Sequence, residues 1–232
     1  MATAILLRHG RSTANAEGIL AGRLPGIPLD ETGRGQAAEV AGRLAALPIR
    51  AVISSPLERC LQTARAVAKA QVGQCPVRRE QRLVECGYGE WTGRQLHGLA
   101  RERLWKVVQS YPSGVAFPDG ESMRQMAARA TDAVRDWDAR ISAEYGEDAI
   151  WVAVTHGDIV KAVLADALGA HLDVFQRIVV EPASVSVVRY APGRPFVLRL
   201  NEHGDLAGLR PHAARRRRSV SGDAVVGGET GT

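Results

Sequence analysis

Thr3-Ala4-Ile5-Leu6-Leu7-Arg8-His9-Gly10 is a short apolar run that breaks abruptly into a cation, an imidazole and a glycine. The pattern returns far downstream, where Ile150-Trp151-Val152-Ala153-Val154-Thr155 runs into His156-Gly157. A third run, Ala51-Val52-Ile53-Ser54, meets Ser55-Pro56-Leu57-Glu58. Short apolar stretches without polar alternation read as strands buried on both faces, which is the habit of a parallel sheet.

The intervening segments carry helical periodicity. Thr32 to Leu47 repeats apolar residues at Ala37, Val40, Ala41, Leu44 and Leu47, with Thr32 as the expected N-cap. Ser55, Pro56 and Glu58 occupy the cap, first and third positions expected of a helix running to Ala70. Helices are further expected over Arg94 to Gln109, Glu121 to Tyr145 and Asp158 to Leu168, and strands over Ser184 to Tyr190 and Phe196 to Leu200. Strands alternating with helices imply an α/β fold, a three-layer sandwich with a mostly parallel central sheet and helices on both faces. One domain is expected over residues 1–206, with a short cap at about 90–120 and a basic, disordered tail over 207–232.

Composition narrows the function. Hydrophobic residues make up 45% and charged residues 24% of the 232, as in ordinary globular proteins. The longest apolar runs are too short for a signal peptide or a membrane span, so a soluble, cytoplasmic protein without membrane contact is expected. Cys60, Cys75 and Cys86 form no C-x-x-C pair, which argues against a disulfide framework or a zinc site. The net charge of +5 is concentrated in the tail around Arg215 to Arg218, so the folded body is not expected to bind nucleic acid. The tail's role, and the choice between monomer and homodimer, stay open.

In open sheets of this kind, ligands gather beyond the carboxyl ends of the strands. Those ends deliver Arg8-His9, Ser55 leading to Arg59, and His156-Gly157, so two arginines and two histidines converge on one rim. Forked guanidinium donors suit a phosphate dianion. A neutral imidazole is a competent nucleophile near pH 7. A separate acid must protonate the leaving oxygen, and Glu85 in the loop-like Leu83 to Gly89 segment is the candidate, with Glu80 and Glu90 as competing carboxylates.

Leu7-Arg8-His9-Gly10-Arg11-Ser12-Thr13-Ala14-Asn15 resembles the R-H-G-x-[ST]-x-x-N signature of the histidine phosphatase superfamily, the branch that includes cofactor-dependent phosphoglycerate mutases. Ser54 to Ala64 resembles its S-x-L-x-R-x-x-Q-T-A motif, and Glu85 with Tyr88-Gly89-Glu90-Trp91-Thr92-Gly93 its L-x-E-x-x-x-G-x-W-x-G segment. Asp119-Gly120-Glu121-Ser122 and Thr155-His156-Gly157 complete the set in the family's order. The combination of Arg8 to Asn15, Tyr88 to Arg94 and the Phe175 to Tyr190 stretch is similar to an actinobacterial subgroup described as phosphomutases or phosphatases.

The resemblance implies that His9 is phosphorylated and that Arg8, Arg59 and His156 hold the phosphoryl group, assisted by Asn15 and the Gly157 amide. Glu85 is the implied proton donor, and Gly22 and Tyr88 are implied substrate contacts, although Tyr88, Trp91 and Ser122 also suit the core. No metal and no cofactor are implied; the partner is a small phosphorylated substrate. Arg11 stands where relatives often carry Glu or Gln and is expected to draw anions to the mouth.

Three functions remain open on this reading. Phosphomonoester hydrolysis, with an optimum on the acid side of neutral, is favoured over a mutase-type phosphotransferase. The segment from Glu90 to Gly120 is short and carries only Arg94, Arg101, Arg103 and Lys106 for a second phosphate. A non-catalytic phosphate-binding protein is the third. His97, His171, His203 and His212 show no ligand spacing and read as ordinary polar residues.

Overall fold

A computed structural model describes residues 2–73 and 75–204; the basic tail expected over 207–232 lies outside the described residues. Six strands form one sheet: β1 (Thr3–Arg8), β2 (Ile49–Ser54), β3 (Val77–Arg79), β4 (Ile150–Thr155), β5 (Val185–Ala191) and β6 (Arg194–Glu202). Their spatial order is β3-β2-β4-β1-β5-β6. The pairs β3/β2, β2/β4 and β4/β1 are parallel, whereas β5 runs antiparallel to both β1 and β6. The sheet is therefore mostly parallel, with one strand reversed.

Continuous apolar strands feed two cores at once. Leu6, Ile53, Trp151 and Ala153 point to α6 (Met123–Tyr145) and α7 (Gly157–Ala167), meeting Met126, Val134, Ile159 and Val163. The alternate residues Ile5, Leu7, Val52 and Val154 point to α2 (Glu31–Leu44) and α3 (Glu58–Ala70), meeting Val40, Leu44, Ala64 and Val67. The helices thus cover both faces. Among the described residues, no helix is long and apolar enough to cross a membrane.

Several boundaries move for identifiable reasons. Asp30, not Thr32, caps α2: its Oδ1 accepts the Gly33 amide at 2.7 Å, and an anionic cap outcompetes a hydroxyl. Helix α3 begins at Glu58, capped by Leu57 without a side-chain bond, because the Ser55 hydroxyl is committed to His156. The helix expected over 94–109 breaks into α4 (Leu96–Leu99) and α5 (Arg103–Ser110). Glu102, at the break, is drawn to the Trp91 indole at 3.0 Å and to Arg94. Helix α1 (Thr13–Ala16), closed by a Ser12/Asn15 capping box, and the short edge strand β3 carry too little periodicity to be read in advance.

The loop after β1 lies directly on the first turn of α2. A methyl group on Gly33 would stand 1.8 Å from the Arg11 carbonyl oxygen, and one on Gly10 would stand 2.4 Å from that of Gly33. Backbone meets backbone here with no room for a Cβ. Gly33→Ala is therefore expected to cost about 2–3 kcal/mol by forcing the loop off the helix. It should lower Tm by roughly 5–10 °C in a thermal melt followed by circular dichroism. A Tm unchanged from the parent would contradict that close approach.

Candidate active site

Because β2, β4 and β1 are neighbours, their carboxyl ends bring Ser55, His156 and His9 side by side. The two imidazoles meet edge to face with centroids 5.2 Å apart. Both are buried. His9 Nδ1–H donates to the Gly10 carbonyl at 2.7 Å, which fixes the tautomer and leaves Nε2 as the unprotonated, accepting nitrogen. That lone pair faces the Arg59 Nε–H at 3.2 Å.

Arg59 is almost entirely buried on the first turn of α3, where a cation gains nothing from the helix dipole. One Nη2 reaches the Gly22 carbonyl at 2.7 Å and His156 Nδ1 at 3.3 Å. Its Nη1, like the Nε of Arg8, has no hydrogen-bond partner among the described residues. Arg8 is anchored by Nη1 on the Val180 carbonyl at 2.6 Å and passes over Gly157 at the start of α7. A buried and a partly buried guanidinium with unspent donors beside a helix N-terminus offer chemistry suited to an oxyanion. Gly157 contributes a first-turn amide of α7 to the same wall.

The electrostatics follow from this crowding. Burial, reinforced by the charges of Arg59 and Arg8, holds the His9 imidazole well below its ordinary value. His156 is pushed down by burial, Arg59 and His9. Its Nε2–H donates to Ser55 Oγ at 2.9 Å, which leaves Nδ1 to accept from Arg59. Both rings are neutral in the unliganded site.

Glu85 closes the pocket, its Oε2 standing 4.0 Å from His156 Nδ1. Burial, then the nearby Asp158 carboxylate, raises the Glu85 carboxyl to about 7 against the pull of Arg59 and Arg8. The loop is held from behind. Arg129 of α6 donates to the carbonyls of Arg82, Val84 and Glu85 at 2.6, 2.8 and 3.0 Å, and Arg23 to that of Glu85 at 2.8 Å. Glu121 binds both arginines, and the Thr155 hydroxyl ties the Leu83 carbonyl to the end of β4 at 2.7 Å.

The competing carboxylates are elsewhere. Burial opposes the ionisation of Glu80, but hydrogen bonds from Arg82 and Trp137 outweigh it and take its carboxyl down to about 2. Glu90 is exposed.

Of the other residues singled out in the sequence, Asn15, Gly22 and Tyr88 line the pocket and Arg11 does not. Asn15 lines the pocket with its Oδ1 spent on Ser12, and Gly22 lines it with its carbonyl on Arg59. Tyr88 also lines it, and its hydroxyl donates to Asp158 Oδ2 at 2.8 Å. Arg11 is the exception: it turns onto the start of α2, donating to Asp30 at 2.6 Å and Thr32 at 2.8 Å, and is not at the mouth.

The profile of the histidine phosphatase superfamily (branch 1) matches residues 4–203. The chain belongs to the histidine phosphatase superfamily. Within it, the chain is 29% identical over 202 residues to a 2,3-bisphosphoglycerate-dependent phosphoglycerate mutase of Thermoplasma acidophilum, spanning 85% of this chain and 92% of that one. It is also 29% identical over 207 residues to phosphoserine phosphatase 1 of Hydrogenobacter thermophilus, spanning 87% and 92%. A solved structure described as mycobacterial hydrolase 1 superposes with a TM-score of 0.78 at 25% identity over 87% of this chain and 99% of that one.

Some residues at this histidine phosphatase site carry no forewarning in the sequence. Arg129 and Arg23 clamp the Glu85 loop across long sequence separations, and no motif marks them. Thr63 receives the Gly10 amide at 3.2 Å and Gln62 the Leu29 amide at 2.8 Å. Their adjacency in the Q-T-A motif was the available signal.

Proposed function

We propose that the protein hydrolyses phosphomonoesters through a phosphohistidine on His9. The observation that carries this reading is the unprotonated Nε2 of a buried His9, facing Arg59 at 3.2 Å and set beside two guanidiniums with unspent donors. A dianion seated on Arg8, Arg59, Asn15 and the Gly157 amide places phosphorus in line with that lone pair. Phosphoryl transfer needs positioning and positive charge above all. His156, kept neutral by its cationic neighbours, gains a proton readily once the dianion offsets them, and then adds a third charge.

Glu85, protonated below about 7, delivers its proton to the leaving alcohol. Once ionised, it takes a proton from the water that attacks the phosphohistidine. Arg129, Arg23 and Glu121 hold the Glu85 loop without touching the reacting atoms. The relatives' names include both phosphatase and mutase. Water as the final acceptor is supported by a cap that gives the pocket Trp91, Leu96, Trp105, Val108 and Gln109, and no cation.

The test is phosphate release from a panel of monoesters in excess chelator, followed by single-turnover chase of the phosphoenzyme. Release that continues with metal removed, with transfer to water outpacing transfer to 3-phosphoglycerate, is expected. Faster transfer to 3-phosphoglycerate would make the chain a phosphotransferase. Phosphate binding without turnover of any ester would make it a binding protein.

A further inference from the structure

The cavity that includes the phosphate cradle has a volume of about 270 Å³ in all, small for a ligand site. Its inner end is the charged rim already described. Its outer end is a chamber of rings: Tyr88, Trp91, Trp105 and Phe117, with Leu20 and Val108. The indoles of Trp91 and Trp105 stack at 6.1 Å, and Phe117 meets Trp91 and Tyr88 edge to face at 5.3 and 5.1 Å. These contacts hold the walls rigid.

Cations are scarce there. Arg94, Arg101, Arg103 and Lys106 contribute nothing to the lining, and Arg11 and Arg23 are spent on Asp30 and Glu121. Lys161 is the cation that reaches the outer chamber, and it is already engaged. Its ammonium donates to Gln176 Oε1 at 3.0 Å, stands 3.7 Å from Asp158 Oδ1 and lies 5.5 Å from the Phe175 ring centre. Asp158 cancels its charge. A carboxylate or second phosphate entering this chamber would lose its water and find no free countercharge.

We propose, resting on the phosphatase reading above, that the alcohol portion of the substrate is uncharged and mainly apolar, an aromatic or alicyclic group of one or two rings. Ring faces pack on Trp91, Trp105 and Phe117, and Gln109, Gln176 and the Asp158–Lys161 pair serve neutral hydroxyls at the rim. The reaction that supplies such a substrate is phosphorylation of a neutral ring-bearing alcohol. The product leaves as that alcohol.

The test compares phosphate release from 2-phenylethyl phosphate and cyclohexylmethyl phosphate with that from phosphoserine, 3-phosphoglycerate and glycerol 3-phosphate. All are esters of primary alcohols, so differences report recognition and not leaving-group chemistry. The ring esters are expected to exceed phosphoserine and 3-phosphoglycerate in kcat/KM by at least about 30-fold, chiefly through KM. Leu96→Arg, a half-exposed position on the wall, supplies the missing cation. It should raise kcat/KM for 3-phosphoglycerate by about tenfold and shrink the ratio.

Equal or better turnover of the charged esters would overturn the substrate class and leave hydrolysis standing. A ratio unmoved by Leu96→Arg would also overturn it, by showing that the alcohol sits elsewhere. No release from any ester would defeat the hydrolase reading itself, and the class with it.

Discussion

Replacing His9 by alanine is expected to lower kcat by about 10⁴-fold or more, because on the proposed mechanism it removes the nitrogen that accepts the phosphoryl group. His156 cannot stand in. Its Nε2 is bound to Ser55, its Nδ1 faces Arg59, and its ring lies edge-on to the vacated site. Phosphate affinity should survive, since Arg8, Arg59 and the start of α7 are untouched and the Arg59 Nε–H loses its His9 acceptor. The measurement pairs steady-state kcat with the Kd of inorganic phosphate by calorimetry. Activity within tenfold of the parent would refute the nucleophile assignment, and loss of both activity and phosphate binding would point to a damaged fold.

Glu85→Gln should produce the second largest effect, and its size should depend on the leaving group. For alkyl esters, whose alcohol needs a proton, kcat should fall by about 10²–10³-fold. For 4-nitrophenyl phosphate the loss in kcat/KM, which reports phosphoryl transfer to His9 and not the later attack of water, should stay under about tenfold, since that phenolate departs unaided. The pH profile gives an independent check. Glu85 is raised to about 7, so the competent acid form prevails below that value and is lost as pH rises through it. His9 is depressed below its ordinary value, so its competent neutral form persists well into the acid range. The ester's own second ionisation, near roughly 6, supplies the acid limb if the dianion reacts.

The optimum of kcat/KM is therefore expected between about 5.5 and 7. In Glu85→Gln the alkaline limb near 7 should vanish. A parent profile still rising at pH 9 would remove Glu85 from the role.

Much of this site is legible in the sequence, because sheet order and strand ends are enough to specify it. An apolar run stopping at Arg8-His9 and another at His156 place their residues at neighbouring carboxyl ends once both strands are parallel. Arg59 is readable by its misfit, as a cation at the start of a helix that must be answering to something else. The fold class is legible for the same reason.

What escapes is whatever depends on side chains choosing between partners. Ser55 resembles a helix cap until His156 competes for its hydroxyl, and Thr32 until Asp30 takes the Gly33 amide. Arg11 looks like part of the mouth because sequence proximity to His9 does not reveal which way a long side chain turns. Whether the cap's few cations face the pocket or solvent is not legible, because a helix face cannot be told inside from outside over so short and broken a segment. Arg129 and Arg23 act on carbonyl oxygens, which every residue has, so no pattern of residue types could announce them.

The position of β1 in the sheet carries a consequence for how the protein is made. The strand bearing His9 pairs on one side with β4 and on the other with β5, from Thr3 against Ile150 and Arg189 onward. A ribosome therefore releases His9 long before it synthesises either flanking strand. Chain closure across so many residues is entropically slow, and synthesis delivers the amino-terminal portion first. The emerging chain must carry Ile5, Leu6 and Leu7 unpaired through most of translation, exposed to chaperones and to aggregation. Its phosphate cradle comes into being only when β4 arrives, so a nascent or prematurely terminated chain has no assembled chemistry with which to consume phosphoesters.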